Sequence, residues 1–442
     1  MGELKPYPEY KDSNLPWLGK IPSHWEKKRA KFIFREVEER SITGNELRLA
    51  MSQKLGLVPR SEMKERRLQS ESYAGAKLCQ IDDIVMNRLK AHLGVFAIVR
   101  QPGIVSPDYT VFRPAGSIDS EYYEYLIKSP VFRPELIRRA KGIIEGFWRL
   151  YTDDFYDIRL PIPPIKEQQK IVRFLQYQKH TFNNYIHGKR ILIELLNEHK
   201  LAIISHAVSK GIDPNVQLKP SGVGWLGNVP AHWELKRLKY LAHIKTGEHD
   251  TVDRIENGAY PFFVRSQTVE RINTYSFDGE AVLTSGDGAG VGKIFHYIDG
   301  KFDYHQRVYK FSNFKGISGK FFFEYLMANL QYEVLKLTAK STVDSVRLDM
   351  LQNFIIPIPP DEEQREIVNW INIATNPIDK AVSTAKRDIE LINEFRTRII
   401  SDIVMGKVDV REINLEQISV TESENLIDGS DDDFPSRCES AK

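Results

Sequence analysis

The densest group of residues able to do chemistry is Ser285-Gly286-Asp287-Gly288-Ala289-Gly290-Val291-Gly292-Lys293, with His305-Gln306-Arg307 shortly after it. Closely spaced glycines let backbone N–H groups approach an anion, and a lysine at the end adds positive charge. The run is not a nucleotide loop. A P-loop ending at Gly292-Lys293 needs glycine where Asp287 stands and Ser or Thr where Ile294 stands. A dinucleotide fingerprint starting at Gly288 needs glycine where Lys293 stands. Two readings stay open: a turn joining two strands, or a loop that touches DNA phosphate or base.

Catalytic patterns are missing elsewhere. The histidines show no His-Glu-x-x-His spacing, and no pair of cysteines stands near one, so no metal site is read. Asn376-Pro377-Ile378 lacks the Pro-Pro-aromatic continuation of an adenine methyltransferase. Neither Pro107-Asp108 nor Pro360-Asp361 is followed within about thirty residues by the acid-x-Lys of a metal-dependent nuclease, and Gly-x-Ser-x-Gly is absent. The chain reads as non-catalytic. The alternative is a stand-alone DNA nuclease or methyltransferase carrying a coiled coil.

Basic and polar residues interleaved with aromatics remain. In the first half they include Arg60, Lys64, Arg66, Arg67, Arg88, Lys90, His92, Tyr109, Trp148 and Arg149. In the second they include Arg265, Ser266, Gln267, Lys293, His305, Gln306, Arg307 and Lys340. Arg and Gln pair bidentately with guanine and adenine in the major groove. Any one of these residues also fits plain surface charge; together they fit a DNA reader.

The elements that must position them are duplicated. Trp17-Leu18-Gly19-Lys20-Ile21-Pro22-Ser23-His24-Trp25-Glu26 returns as Trp225-Leu226-Gly227-Asn228-Val229-Pro230-Ala231-His232-Trp233-Glu234. The chain has six tryptophans, and four of them stand at matched places in these two stretches, which excludes coincidence. Because both copies keep the Trp and His, packing rather than base stacking is the expected role. A second motif, Pro161-Ile162-Pro163-Pro164-Ile165-Lys166-Glu167-Gln168, returns as Pro357-Ile358-Pro359-Pro360-Asp361-Glu362-Glu363-Gln364. Alternating prolines favour an extended segment, and the acids that follow suit a first helical turn. The stretches between the motifs diverge in sequence and differ in length, so one scaffold carries two recognition surfaces.

A heptad seam follows each second motif. The first copy runs through Ile171, Leu175, Phe182, Tyr185, Leu192, Leu196 and Ile203; the second through Ile367, Ile371, Ile378, Ala385, Ile392, Phe395 and Ile399. Small Ala381 and Ala385 against bulkier Phe182, Tyr185 and Leu192 predict an antiparallel two-helix coiled coil. Asn376-Pro377 predicts a break and restart, and Gly211 and Gly406 predict helix stops. A helix of about 27 residues spans roughly 40 Å, or about twelve base pairs, which sets two half-sites about one helical turn apart.

The expected fold class is α+β: two mixed α/β domains that repeat one another, separated by two long helices packed as an antiparallel coiled coil. The expected divisions are 1–160, 161–212, 213–356, 357–410 and an acidic, disordered tail at 411–442. Overall charge is only +2, but the tail holds nine acids against Arg411, Arg437 and Lys442, a net of minus six that leaves the remainder at +8. That mild basic excess is compatible with DNA. No apolar run approaches a membrane span, the start lacks a secretory pattern, and Cys79 and Cys438 are too few and too far apart for a disulfide framework. A reducing cytoplasm fits best.

These motifs resemble the DNA-specificity subunit of type I restriction–modification systems, over residues 11 to 410. The likeness rests on the paired Trp-Leu-Gly-x-x-Pro-x-His-Trp-Glu and Pro-Ile-Pro-Pro-x-x-Glu-Gln motifs, and on the Ser285–Lys293 run with His305-Gln306-Arg307. It implies two inverted target recognition domains, each reading half of a split site in double-stranded DNA. It implies helices that hold two copies of an adenine methyltransferase subunit, and a full complex with a restriction/translocase subunit. No cofactor is expected in this chain; S-adenosylmethionine, ATP and Mg²⁺ are expected in the partner subunits. The acidic tail is not part of the family pattern.

Overall fold

The computed structural model describes residues 4–53, 55–63, 73–142, 148–338 and 346–413. Lys64, Arg66, Arg67, Lys340 and the acidic tail from residue 414 lie outside the described residues. The chain folds as two compact units, Met1–His187 with Ile389–Lys442, and Gly188–Asp388. The two long helices, Ile165–Lys210 and Asp361–Val404, are each divided between these units, so neither helix forms a body of its own.

In the first unit, four strands form an antiparallel sheet in the spatial order Phe34–Val37, Tyr109–Pro114, Ile84–Asn87, Phe96–Ile98. The hairpin Leu49–Ser52/Gly56–Pro59 and the pair Lys77–Cys79/Gly103–Val105 are separate two-stranded sheets. The helix Ser120–Lys128 begins at Asp119, whose carboxylate accepts from the N–H groups of Glu121 and Tyr122. It buries Tyr122, Tyr123, Leu126 and Ile127, whose 3–4 spacing sets them on one helical face.

In the second unit the same order returns: His243–Thr246, Val308–Ser312, Phe277–Ser285, Phe295–Tyr304. Two further strands extend the sheet, Tyr260–Phe263 parallel to Phe295–Tyr304, then Glu270–Ile272. The helix Gly319–Thr338 buries Phe321, Phe322, Tyr325 and Leu326. The shared part of the repeat is thus a four-stranded core. The differences in the middles are additions to it.

Both repeated motifs meet within each unit. In the first, Glu26–Arg29 pairs antiparallel with Arg159–Ile162. In the second, Glu234–Arg237 pairs with Ile355–Ile358. The proline-rich strand ends where its helix begins: the Pro164 carbonyl accepts from Glu167 and Gln168 N–H, and the Pro360 carbonyl from Gln364 N–H. Trp25 Nε1 donates to Glu167 Oε1 at 2.9 Å, and His24 Nε2 lies 2.8 Å from Oε2. Trp233 Nε1 donates to Glu363 Oε1 at 3.0 Å, and His232 Nε2 lies 2.7 Å from Oε2. The next residue completes the clasp: Gln168 accepts from Asp119 N–H and donates to the Pro163 carbonyl. Gln364 accepts from Ser318 N–H and donates to the Pro359 carbonyl. The opening motif therefore packs and locks the scaffold. Trp17 meets Phe132 edge-on, while Trp225 stacks on Tyr332 and Phe354.

The helix pairing is antiparallel in each unit. In the first, Phe182 meets Phe395 with ring centroids 5.9 Å apart. In the second, Lys189 pairs with Asp388 and Lys200 with Asp379, the numbers rising on one helix as they fall on the other. Ile378 and Ala385 are buried as expected, and Leu196 and Ile392 are half-buried. The expected seam is corrected at Tyr185 and Leu192, which are 44% and 42% exposed; their neighbours Ile186 and Ile193 turn inward. Phe395 touches Phe182 but stays 45% exposed, while Ile399 is buried. With apolar residues at both i+3 and i+4, the spacing admits either phase. The break expected at Asn376-Pro377 does not occur, and the second helix runs unbroken through Pro377. The carbonyl four residues back, which loses its partner to proline, belongs to Ile373, 65% exposed and open to water. Both helices end where expected, before Gly211 and Gly406, which have φ of +78° and +73°.

Candidate nucleic-acid interface

The two cores carry their candidate residues at equivalent places. In the first unit the connection after Ile84–Asn87 is Arg88-Leu89-Lys90-Ala91-His92-Leu93-Gly94; in the second, the connection after Phe277–Ser285 is the glycine-rich run. Each contains one turn of 3₁₀ helix, Ala91–Leu93 or Gly288–Gly290, and each ends with a left-handed glycine, Gly94 or Gly292. Each is held by the segment that leads into the proline-rich strand: Leu150 N–H donates to the Arg88 carbonyl, and Val346 N–H to the Gly286 carbonyl. The glycine-rich run is a turn between two strands, as one reading had it, and its place matches that of a basic loop in the other copy.

In the first unit this arrangement gathers Arg88, Lys90, Tyr109 and Arg149. Asn87 shapes the loop by accepting from the N–H groups of Leu89 and Lys90. Tyr109 pairs across the sheet with Asn87. Trp148 lies against His92 with ring centroids 5.3 Å apart, and Arg149 exchanges both backbone hydrogen bonds with Lys141. Lys90 and Arg149 are exposed. Arg88 is occupied within the sheet: its Nε donates to Thr110 Oγ1 at 2.8 Å, and its Nη2 lies 3.4 Å from Glu36. Burial pushes the His92 imidazole down, with Arg133 adding to it, so His92 is neutral at ordinary pH. Arg60 lies apart from this group, opening the 3₁₀ turn Arg60–Glu62 after the hairpin Leu49–Ser52/Gly56–Pro59, its N–H donating to the Arg48 carbonyl.

The second unit is more tightly built. Arg265 Nη1 donates to Asp287 Oδ1 at 2.9 Å, and Arg307 Nη1 donates to Asp287 Oδ2 at 2.9 Å. Partial burial pushes the Asp287 carboxyl up, and the bonds from the two arginines outweigh it, leaving it below its ordinary range. Gln306 Nε2 donates to Asp250 Oδ2 at 2.8 Å. Buried His305 accepts from Arg307 N–H on Nδ1 and turns Nε2 toward Asp250, 3.7 Å away. Burial pushes the His305 imidazole down. Gln267 and Lys293 are exposed. Asp250 and Glu36 carry no signal in the sequence, and Asp287 stands in the glycine run there without its role as the anchor of two arginines.

A family profile described as "Type I restriction modification DNA specificity domain" matches the chain twice, at residues 22–195 and 230–387. The chain belongs to this family of type I restriction–modification DNA specificity proteins. Its two family domains each include a four-stranded core, its clasp and part of the long helices. Among relatives, the type I restriction enzyme MjaVIII specificity subunit of Methanocaldococcus jannaschii is 27% identical over 285 residues, 59% of this chain and 64% of that one. The match thus spans less than two thirds of that relative. A putative MjaX specificity subunit from the same organism is 22% identical over 91% of this chain and 98% of its own length. A solved chain, from work on "complex assembly and conformational transition of the type I R-M system", superposes with a TM-score of 0.58 at 16% identity. It covers 87% of this chain and 98% of its own, a likeness of fold.

Proposed function

We propose that this chain is a non-catalytic specificity subunit that reads a split site in double-stranded DNA, one half with each unit, and directs adenine methylation or cleavage by partner subunits. The observation that carries this reading is the pair of equivalent loops, residues 88–94 and 286–292, on four-stranded cores of the same strand order. A scaffold that repeats while its loops diverge is what two different half-sites need. The cations and amides at those loops, Lys90, Arg149, Arg265, Gln267, Lys293, Gln306 and Arg307, supply the donors for guanine, adenine and phosphate.

The partners are two copies of an adenine methyltransferase subunit and a restriction/translocase subunit. S-adenosylmethionine, ATP and Mg²⁺ belong to those chains, and the assembly works in the cytoplasm. Leu192, Leu195, Trp370 and Ile373 are exposed apolar residues on the long helices, which supports a protein partner there. Among the described residues, no helix is long and apolar enough to cross a membrane.

Incubating the full chain alone with DNA, Mg²⁺ and labelled S-adenosylmethionine tests the reading against a stand-alone enzyme. The expected result is no methyl transfer and no cutting, with DNA binding that weakens steeply as salt rises. Robust turnover by the chain alone would reverse the assignment.

A further inference from the structure

Arg265, Asp287 and Arg307 reach one point from three separate strands. Arg265 follows Tyr260–Phe263, Asp287 follows Phe277–Ser285, and Arg307 precedes Val308–Ser312. The backbone holds the carboxylate in place. Gly286 N–H donates to the Arg307 carbonyl at 2.8 Å, and Ser285 Oγ donates to the Asp287 carbonyl at 2.9 Å. A Cβ at Gly286 would stand 2.9 Å from the Tyr309 ring and 3.0 Å from the Arg307 carbonyl, so the close approach requires glycine. Gly288 leaves the loop at a φ of +78°.

Each arginine gives one N–H to the shared carboxylate and keeps others on a planar fork. Both side chains are exposed. A guanidinium fixed at one edge presents its remaining N–H groups in a set plane, which is what the O6/N7 edge of guanine requires. A free guanidinium would settle as readily on any phosphate. The carboxylate also removes one of the two positive charges from this point on the surface.

We propose that Asp287 is a positioning residue for base recognition. It holds Arg265 and Arg307 at a fixed separation for the base edges of one half-site, and it weakens their pull on phosphates of any sequence. The proposal rests on the DNA reading above.

The test uses the full chain with its methyltransferase partner, selecting bound duplexes from a randomised pool at constant salt. Four proteins are compared: the natural chain, Asp287→Asn, Arg265→Gln with Arg307→Gln, and all three changes together. Asp287→Asn should lower discrimination about tenfold at positions of one half-site. It should leave the other half-site intact and hold or raise affinity for unrelated DNA. The paired arginine change should erase the same positions, and adding Asp287→Asn should then do nothing more. Asp287→Ser, which offers no amide in place of the carboxylate, should repeat the Asp287→Asn pattern. Full selectivity in Asp287→Asn, equal loss in both half-sites, or a loss that adds to that of the arginine pair overturns the proposal. A natural chain that selects no split motif instead overturns the DNA reading itself.

Discussion

At the scale of single residues, buried and half-buried acids organise the clasps as well as the recognition loops. Glu167 takes hydrogen bonds from Tyr7, His24 and Trp25, with its side chain only 5% exposed. Burial and Glu167 together push the Tyr7 hydroxyl far up, so it keeps its proton and donates to Glu167 Oε1. Glu363 holds His232 and Trp233 and is 23% exposed. Removing an acceptor strands its donors at a cost of about 1–3 kcal/mol for each buried one. Glu167→Ala should therefore destabilise the first unit by roughly 2–4 kcal/mol, and Glu363→Ala the second by roughly 1–2 kcal/mol. Urea melts of the two variants check the order; equal losses would show that the third donor and deeper burial do not matter. The sequence displayed this clasp as two repeated motifs. It did not show that the motifs touch, because the contact joins residues 142 or 130 positions apart.

At the scale of elements, the ends of the long helices were legible because they rest on local signals: prolines before each helix and glycines after it. The phase of the long-helix seam was not. Tyr185 and Ile186, and Leu192 and Ile193, offer two apolar stripes one residue apart, and only packing selects between them. Phe182→Ala should cost about 3–5 kcal/mol as a core cavity. Leu192→Ala should change stability by no more than about 0.5 kcal/mol while weakening partner capture. Denaturation with a pull-down of the methyltransferase subunit checks both; a large stability loss in Leu192→Ala would restore the original seam.

The helix Gly319–Thr338 carries a second test. Glu324 Oε2 is buried without a hydrogen-bond partner, and burial pushes its carboxyl up to about 7, with Lys200 opposing and Asp379 adding. The folded chain thus keeps a proton that the unfolded chain releases near its ordinary pKa of about 4.3. This group's contribution is greatest below that value and is lost as pH rises through about 7. Glu324→Gln should raise the melting temperature at about pH 8 and change it little at about pH 5. A variant with no gain at the higher pH would show that the carboxylate is solvated in the fold.

At the scale of the whole molecule, the duplication was plain from four tryptophans, and the four-stranded cores bear it out in shared strand order. The division into two units that each take part of both long helices was not visible in the linear order of motifs. The equivalence of a glycine-rich loop with a basic one was also hidden, since of the seven positions only Ala91/Ala289 and Gly94/Gly292 match. It emerged from strand order and from matched backbone bonds at Arg88 and Gly286.

The central claim is that each unit reads its own half of a split site through its own loop. The direct measurement is a map of methylated adenines made by the full chain with its methyltransferase partner, before and after residues 87–94 are exchanged for the loop of another specificity subunit. The expected map is a motif of two short sequences with a constant gap, in which the exchange alters one half and leaves the other and the gap unchanged. An unsplit motif, or a map that the exchange leaves untouched, would contradict it.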